Sequence, residues 1–292
     1  MKRDAFSRFL PAVNFLFFVG AIGFGVVIQH PAYLIAGVIA GFAYYLLLQG
    51  SNGLKLLGGM IPVFLVISLI NPKFNTYGKT VLFTYFDRKY TLEALCYGMT
   101  LAGMFVLMIV WFSCYNLVLT SDKFICLFGS LIPSLSLLLV MVLRLIPSFM
   151  RKAKQIIGAR NSIGKGGNEN STTKEKVASG MTVLSALTDW ALEGSIVTAD
   201  SMRARGYGSA KRTSFQIYRM TGRDWLVLAL EAALAAAVIG AVVSGGTEAS
   251  FTKTISLAPL GWEYGAYWAF LLIPTAVEVK EELHWRRILA SM

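Results

Sequence analysis

Long charge-free apolar runs alternate with short polar breaks along most of this chain. No charged residue occurs from Phe9 to Leu54 when His30 is neutral, and none from Ala94 to Ser121. Apolar runs of eighteen or more residues have the length of a helix that crosses a bilayer. The first span is predicted over Pro11–Ile28, with a tight turn at Gln29-His30-Pro31 and a second span over Ala32–Leu48. Gln49-Gly50-Ser51-Asn52-Gly53 is a loop by its turn chemistry. A third span covers Leu54–Ile70. Asn71-Pro72 is expected to end it, because proline restricts the residue before it and removes a helix hydrogen bond. Within the polar, aromatic stretch Lys73–Tyr90, the run Val81–Phe86 reads as a short strand or an interfacial segment. Thr91 is a candidate N-cap for a fourth span reaching Leu119, with Glu93 in its first turn.

The pattern changes in the middle of the chain. Leu131–Ile146 is apolar, but Pro133 and Pro147 bracket it and Arg144 lies inside it. The thirteen residues between the prolines, Ser134–Ile146, would reach only about 20 Å as a helix, against a hydrocarbon core of about 30 Å. A crossing here would also carry Arg151, Lys152, Lys154, Arg160, Lys165, Lys174 and Lys176 outside, against the positive-inside bias. The expectation is a non-crossing helix that continues to about Ala159. Gly164–Thr173 (GKGGNENSTT) is a polar loop. Lys174–Arg205 has helical periodicity, with Val177, Met181, Leu184, Leu187, Ala191 and Val197 assigned to roughly one face. It is too polar to span and too apolar to stand free in water, so it belongs against a partner or a membrane surface. Apolar spans resume at Trp225–Val243 and Leu257–Val277, and the tail Glu278–Met292 is charged and amphipathic.

Composition narrows the class. The 292 residues are 55% hydrophobic and 15% charged, where soluble domains carry about 25% charged residues. Mean hydropathy is +0.60. The net charge of +11 sits outside the apolar runs, as the positive-inside bias places it, and no basic–aromatic motif points to nucleic acid. Cys96, Cys114 and Cys126 have no paired spacing and read as small buried hydrophobes. Met1-Lys2-Arg3-Asp4 precedes an apolar run without a small-residue cleavage site, so the first span is expected to be retained. Lys2, Arg3 and Arg8 put the N-terminus in the cytoplasm. Four crossings return the chain there near Ser121-Asp122-Lys123, and two more return the tail. The expected fold is all-α and polytopic: transmembrane helices 1–4 in residues 1–119, a cytoplasmic helical module in 120–220, and helices 5–6 with the tail in 221–292.

No catalytic constellation appears. His30 and His284 lie near opposite ends, and there is no HExxH, CxxC or paired-carboxylate motif. Gly164-Lys165-Gly166-Gly167 lacks the Lys-Ser/Thr and the preceding strand of a phosphate loop, and reads as a linker. No metal or cofactor is expected. Glu231 stands inside the fifth span, where an ionisable group is a functional candidate; the alternative is a carboxylate reaching the headgroups from within two turns of the interface.

Two tripeptides stand out, Ala159-Arg160-Asn161 and Ala204-Arg205-Gly206, 45 residues apart. Each is expected at a helix end. Alanine permits close approach, arginine offers a planar five-donor fork, and glycine accepts the left-handed conformation that ends a helix. The chain resembles the T component, the transmembrane coupling subunit, of energy-coupling factor (ECF) transporters. Thr91-Leu92-Glu93-Ala94-Leu95, Leu119-Thr120-Ser121-Asp122 and Leu143-Arg144-Leu145-Ile146-Pro147 are similar to that family's segments around its long fourth helix and coupling region. So is Ala199-Asp200-Ser201-Met202-Arg203-Ala204-Arg205-Gly206-Tyr207-Gly208. The resemblance covers about Asn71–Arg212. It implies a non-enzymatic subunit of an importer in the cell membrane. Two cytoplasmic ABC ATPases would hydrolyse ATP and receive the arginine tips, Arg160 and Arg205, flanked by Ala159, Asn161, Ala204 and Gly206. A separate membrane S component would capture a vitamin or transition-metal ion. Asn161 stands where the family favours glycine; asparagine tolerates the left-handed conformation, so the cap is expected to survive. The competing classes are a self-sufficient secondary transporter, toward which Glu231 points, and a membrane-embedded transferase, which the missing acidic metal motif opposes.

Overall fold

The computed structural model describes residues 4–50, 53–75, 80–85, 88–120, 123–124, 126–127, 133–165, 172–209, 220–251 and 256–290. The chain divides into two compact units, one formed by Met1–Phe124 with Tyr218–Met292 and the other by Ile125–Ile217. Ser121-Asp122, most of the Gly164–Thr173 loop and the basic stretch Lys211–Arg219 lie outside the described residues.

The first unit holds α1 (Pro11–Val27), α2 (Pro31–Gln49), α3 (Gly53–Phe74), α4 (Leu92–Val118), and the helices Gly222–Val243 and Trp262–Ala290. Helices α2, α3, α4 and Gly222–Val243 are long and apolar enough to cross a membrane; α1 is apolar but shorter. Proline opens both α1 and α2, where its missing N–H costs nothing. The His30 side chain caps α2 by accepting from the Ala32 amide at 3.3 Å. Thr91 caps α4 by accepting from the Ala94 amide, as its sequence position predicts.

Helix α4 packs against α1, α2 and α3. Glycines let the backbones approach. A Cβ on Gly25 would lie 2.2 Å, and one on Gly37 2.4 Å, from the Leu107 side chain; one on Gly41 would lie 2.8 Å from Val110. The approach brings the Trp111 indole N–H to the Gly37 carbonyl at 3.2 Å. Phe17, Phe18, Tyr44, Trp111 and Phe270 fill the centre of the core, with Phe17 stacked on Phe270 at 5.2 Å.

Two expectations, on Pro72 and Leu257, are corrected here, and the alternative left open at Val81 is decided. Pro72 does not end α3, which runs on to Phe74 with Pro62 and Pro72 inside. Pro72 removes the hydrogen bond to the Ser68 carbonyl, and that carbonyl lies where α4 carries Gly98: a Cβ there would sit 2.8 Å from it. The run at Val81 is a strand, β1 (Val81–Tyr85), paired antiparallel with an unforeseen β2 (Arg88–Thr91); Phe86 lies outside the described residues. Leu257 is not helical. It belongs to β4 (Ser256–Leu257), paired with β3 (Ala249–Ser250), and the helix starts only at Trp262, after Pro259 and Gly261. That last helix then continues without a break through the tail to Ala290.

Residues Asp4–Leu10, including a single 3-10 turn at Phe6–Arg8, run across one end of this unit. Asp4 accepts from the Tyr44 hydroxyl at 2.8 Å, and Glu278 accepts from the Ala5 amide at 2.7 Å. Arg8 pairs with Glu281. Burial first, and then a hydrogen bond with Asp4, pushes the Glu278 carboxyl up to about 7.

The second unit holds α5 (Pro133–Ser162) and α6 (Thr173–Ala204). Pro147 lies inside α5 and does not break it, so the distance between prolines does not set this helix's length. Phe149 meets Trp190 edge-on at 5.4 Å, and Arg160 reaches Ser179 at 3.3 Å. Eleven residues forward on α5 thus match eleven backward on α6, which defines an antiparallel helical hairpin. Thr172 and Glu175 close a capping box at the start of α6.

Helix α6 has two apolar faces, not one. Val183, Leu187, Trp190 and Ala191 are half-buried, on the side that meets α5. Val177, Met181, Leu184, Leu192 and Ile196 form an exposed stripe, each more than half accessible. The expected single face therefore mixed two: Leu187 and Ala191 belong to the packed side, while Val177, Met181 and Leu184 belong to the open one. Val197 is exposed and lies off the stripe.

Candidate functional site

The two arginine tripeptides sit at different ends of the hairpin. Ala204 is the last residue of α6, and Arg205 is its C-cap. Gly206 takes φ of +78°, the left-handed position. The Gly206 amide bonds the Arg203 carbonyl at 2.9 Å, and the Tyr207 amide bonds the Met202 carbonyl at 3.0 Å. This pair of bonds is a Schellman motif, which satisfies carbonyls that the helix end would otherwise leave open. Arg205 is exposed, and its guanidinium makes no hydrogen bond or ion pair among the described residues.

The first tripeptide differs. Ala159, Arg160 and Asn161 all lie within α5. The left-handed residue is Gly164, at φ of +70°. The Gly164 amide bonds the Asn161 carbonyl at 3.1 Å, and the Lys165 amide bonds the Arg160 carbonyl at 3.0 Å. The expectation that Asn161 takes the left-handed cap is therefore corrected: the helix runs one turn-fraction further, and Gly164 closes the same Schellman motif. The signal was present in the sequence, since Gly164 follows the last helical position, but the asparagine drew attention upstream. Arg160 donates to the Lys165 carbonyl at 3.2 Å and to the Ser179 hydroxyl at 3.3 Å. Its Nε is buried and makes no hydrogen bond among the described residues. Arg160 is thus tied back onto its own hairpin, whereas Arg205 projects.

The structure does not bring the two arginines together. Arg160 lies beside Ser179, and from Ser179 to Ala204 a continuous helix extends about 38 Å at 1.5 Å per residue. Each end also carries an exposed apolar residue that sequence reasoning missed: Ile163 at 68% and Tyr207 at 50% accessibility. A planar cation next to an exposed apolar side chain suits a protein surface that offers a carboxylate beside a hydrophobic recess. Among the described residues no group of three His, Cys, Asp or Glu side chains is placed to hold a metal ion.

Glu231 lies in the middle of the helix Gly222–Val243, hereafter α7, and is 3% exposed. Both carboxyl oxygens are buried and make no hydrogen bond among the described residues. It shares a buried stripe with Asp224, Val238 and Ala241. The side chain faces the protein and does not reach out toward headgroups. His30, between α1 and α2, donates through Nε2 to the Ala258 carbonyl at 3.2 Å.

The chain matches no protein-family model, and no curated protein is significantly similar to it. What the structure defines, among the described residues, is a helical protein with four helices able to cross a membrane and a second unit in which a helical hairpin bears two arginine ends.

Proposed function

We propose that the chain is the membrane coupling subunit of an ECF-type importer, transmitting movements of two cytoplasmic ABC ATPases to a substrate-binding S component in the cell membrane. The observation that carries this reading is the placement of Arg160 and Arg205. They sit at two capped helix ends about 38 Å apart along one rigid helix, on a unit inserted between apolar helices. Two separate anchoring points suit two separate partner subunits better than one active site. The chain itself would not be an enzyme; the ATPases would hydrolyse ATP, and the S component would select the vitamin or transition-metal ion.

In this reading six helices cross the bilayer with both ends inside: α1 to α4, α7 and the last helix, α8 (Trp262–Ala290). The first and last are the thin members. Helix α1 spans about 26 Å, and the uncharged stretch of α8 between Glu263 and Glu278 about 21 Å. Trp262, Tyr264 and Trp268 supply interfacial anchors at the outer end of α8.

The direct test is Arg205→Glu. The reversed charge at a projecting tip should abolish both copurification with the ATPases and uptake, while the protein stays in the membrane at its normal level. Losing a desolvated arginine contact costs about 2–5 kcal/mol of binding, a loss of thirty-fold or more in affinity. Normal uptake by this variant would sink the coupling reading. The second reading, a self-sufficient secondary transporter, is favoured by the buried Glu231 carboxyl. It predicts that Glu231→Gln stops transport by the chain reconstituted alone.

A further inference from the structure

The chain leaves its membrane unit just after Lys123 and re-enters it just before Thr221. Both places are bonded to the same short N-terminal segment. The Lys123 ammonium donates to the Ser7 hydroxyl at 2.6 Å and to the Ser7 carbonyl, and also to the Val118 carbonyl at 3.0 Å. Asp224 accepts from the Leu10 amide at 3.2 Å through one oxygen. Through the other it accepts from the Thr221 amide and hydroxyl at 2.9 and 2.6 Å. Lys123 and Asp224 are both buried, at 9% and 6% accessibility.

This arrangement is not the default for such groups. A lysine at the end of an apolar helix ordinarily extends into water or the headgroups, because burying a charge is costly. Here burial pulls the Lys123 ammonium below the usual lysine range, and its three acceptors compensate. Two of the three belong to Ser7. The same segment is fixed to two further helices, through Tyr44 to Asp4 on α2 and through Glu278 and Glu281 on α8. Ser7 and Leu10 are at most about 10 Å apart along the chain. A four-residue piece therefore sets the separation of the two points between which the whole Ile125–Ile217 unit is inserted.

We infer that Asp4–Leu10 is a positioning strap: it fixes the exit and return points of the inserted unit against each other and against α1, α2 and α8. The consequence for transport rests on the coupling reading above. A force arriving through the insertion reaches α4 and α7 first. With the strap in place it is shared at once with α1, which begins at Pro11 directly after the strap, and with α2 and α8.

The strap itself is tested in the full-length chain in lipid nanodiscs. Spin labels are placed at Phe124→Cys and Met220→Cys, with Cys96 and Cys126 replaced by serine. Removing both anchors, Lys123→Met with Asp224→Ala, which leaves the Leu10 amide no side-chain acceptor at that position, should at least double the width of the label distance distribution. An unchanged width overturns the inference. Tyr44→Phe is the control, because it removes a strap bond that touches neither exit nor return. It should leave the width as in the parent; broadening equal to that of the double variant would mean general loosening and would also overturn the inference. If the double variant does not accumulate in membranes, each single substitution is measured by the same criterion. In the assembled transporter, the double variant should keep hydrolysing ATP while uptake per ATP falls at least five-fold. Unchanged uptake per ATP removes the transmitting role. If the parent chain binds no ATPase at all, the coupling reading fails, while the label widths still judge the strap.

Discussion

At the scale of single residues, His30 shows how one side chain can serve two elements. Its Nδ1 accepts from the Ala32 amide at the start of α2, and its Nε2 donates to the Ala258 carbonyl. Only the neutral ring can do both, since a proton on Nδ1 would forfeit the cap and set a positive charge against the helix N-terminus. Burial, the larger effect, lowers the His30 pKa against the smaller raising effect of the Ala258 bond. The unfolded chain therefore takes up the proton at higher pH than the folded one. The contribution of His30 to stability is complete above the ordinary histidine pKa of about 6.5 and is lost as pH falls below it. Glu278 works the other way: raised to about 7, it contributes stability at low pH that is lost as pH rises through that value. The comparison of parent with His30→Asn isolates the histidine, because asparagine can still cap. Thermal midpoints measured in detergent at pH 7.5 and pH 5.5 should show a larger acid-induced drop in the parent than in the variant. Equal drops would mean that His30 keeps its proton balance on unfolding.

At the scale of elements, the helix ends decide what the arginines can do. If Asn161 is helical and Gly164 is the left-handed cap, the two positions respond oppositely to alanine. Asn161→Ala should strengthen the end of α5 by a few tenths of a kcal/mol, because alanine is the better helix former. Gly164→Ala should weaken it by about 1–2 kcal/mol, because a Cβ resists positive φ. Amide exchange across Gly158–Lys165 reads both effects, and faster exchange in Asn161→Ala would restore the asparagine cap. The same elements show what was legible in the sequence. Apolar runs located α1 to α4 and α7, and Thr91 with Glu93 located the start of α4, since these features depend on local chemistry. Pro72 misled, because a proline forfeits only one hydrogen bond and an apolar surrounding gives the chain no water to replace the rest of the ladder. The pairing of β1 with β2 was illegible in Arg88–Thr91, which has no alternation to mark a face. At the site, the α6 end was read correctly from Ala204-Arg205-Gly206. The α5 end was displaced by three residues, because a tripeptide says nothing about whether the helix continues past it.

At the scale of the whole molecule, the question is which side of the membrane carries the inserted unit. The proline-spacing argument against a crossing by α5 has gone, since that helix continues through Pro147. The charge argument remains, and it favours the proposed placement. From Arg144 to Arg160, α5 carries five basic residues and no acidic one, and placing them outside opposes the positive-inside bias. The uncharged part of α5 before Arg144, Pro133–Leu143, extends about 16 Å as a helix, about half of the hydrocarbon core. The two readings give opposite exposure for α6 relative to the β3–β4 ribbon. With α5 not crossing, the ribbon lies outside and α6 inside. With α5 crossing, α6 moves outside. Ser250 in the ribbon and Ser201 near the arginine tip of α6 are both exposed positions, so a cysteine at either is accessible to reagent on its own side. In whole cells, with Cys96 and Cys126 replaced by serine, a membrane-impermeant maleimide should label Ser250→Cys without treatment. It should label Ser201→Cys at least ten-fold more after permeabilisation than before. Full labelling of Ser201→Cys in intact cells would put both arginine ends beyond the reach of any cytoplasmic ATPase, and the charge distribution along α5 would then need another cause.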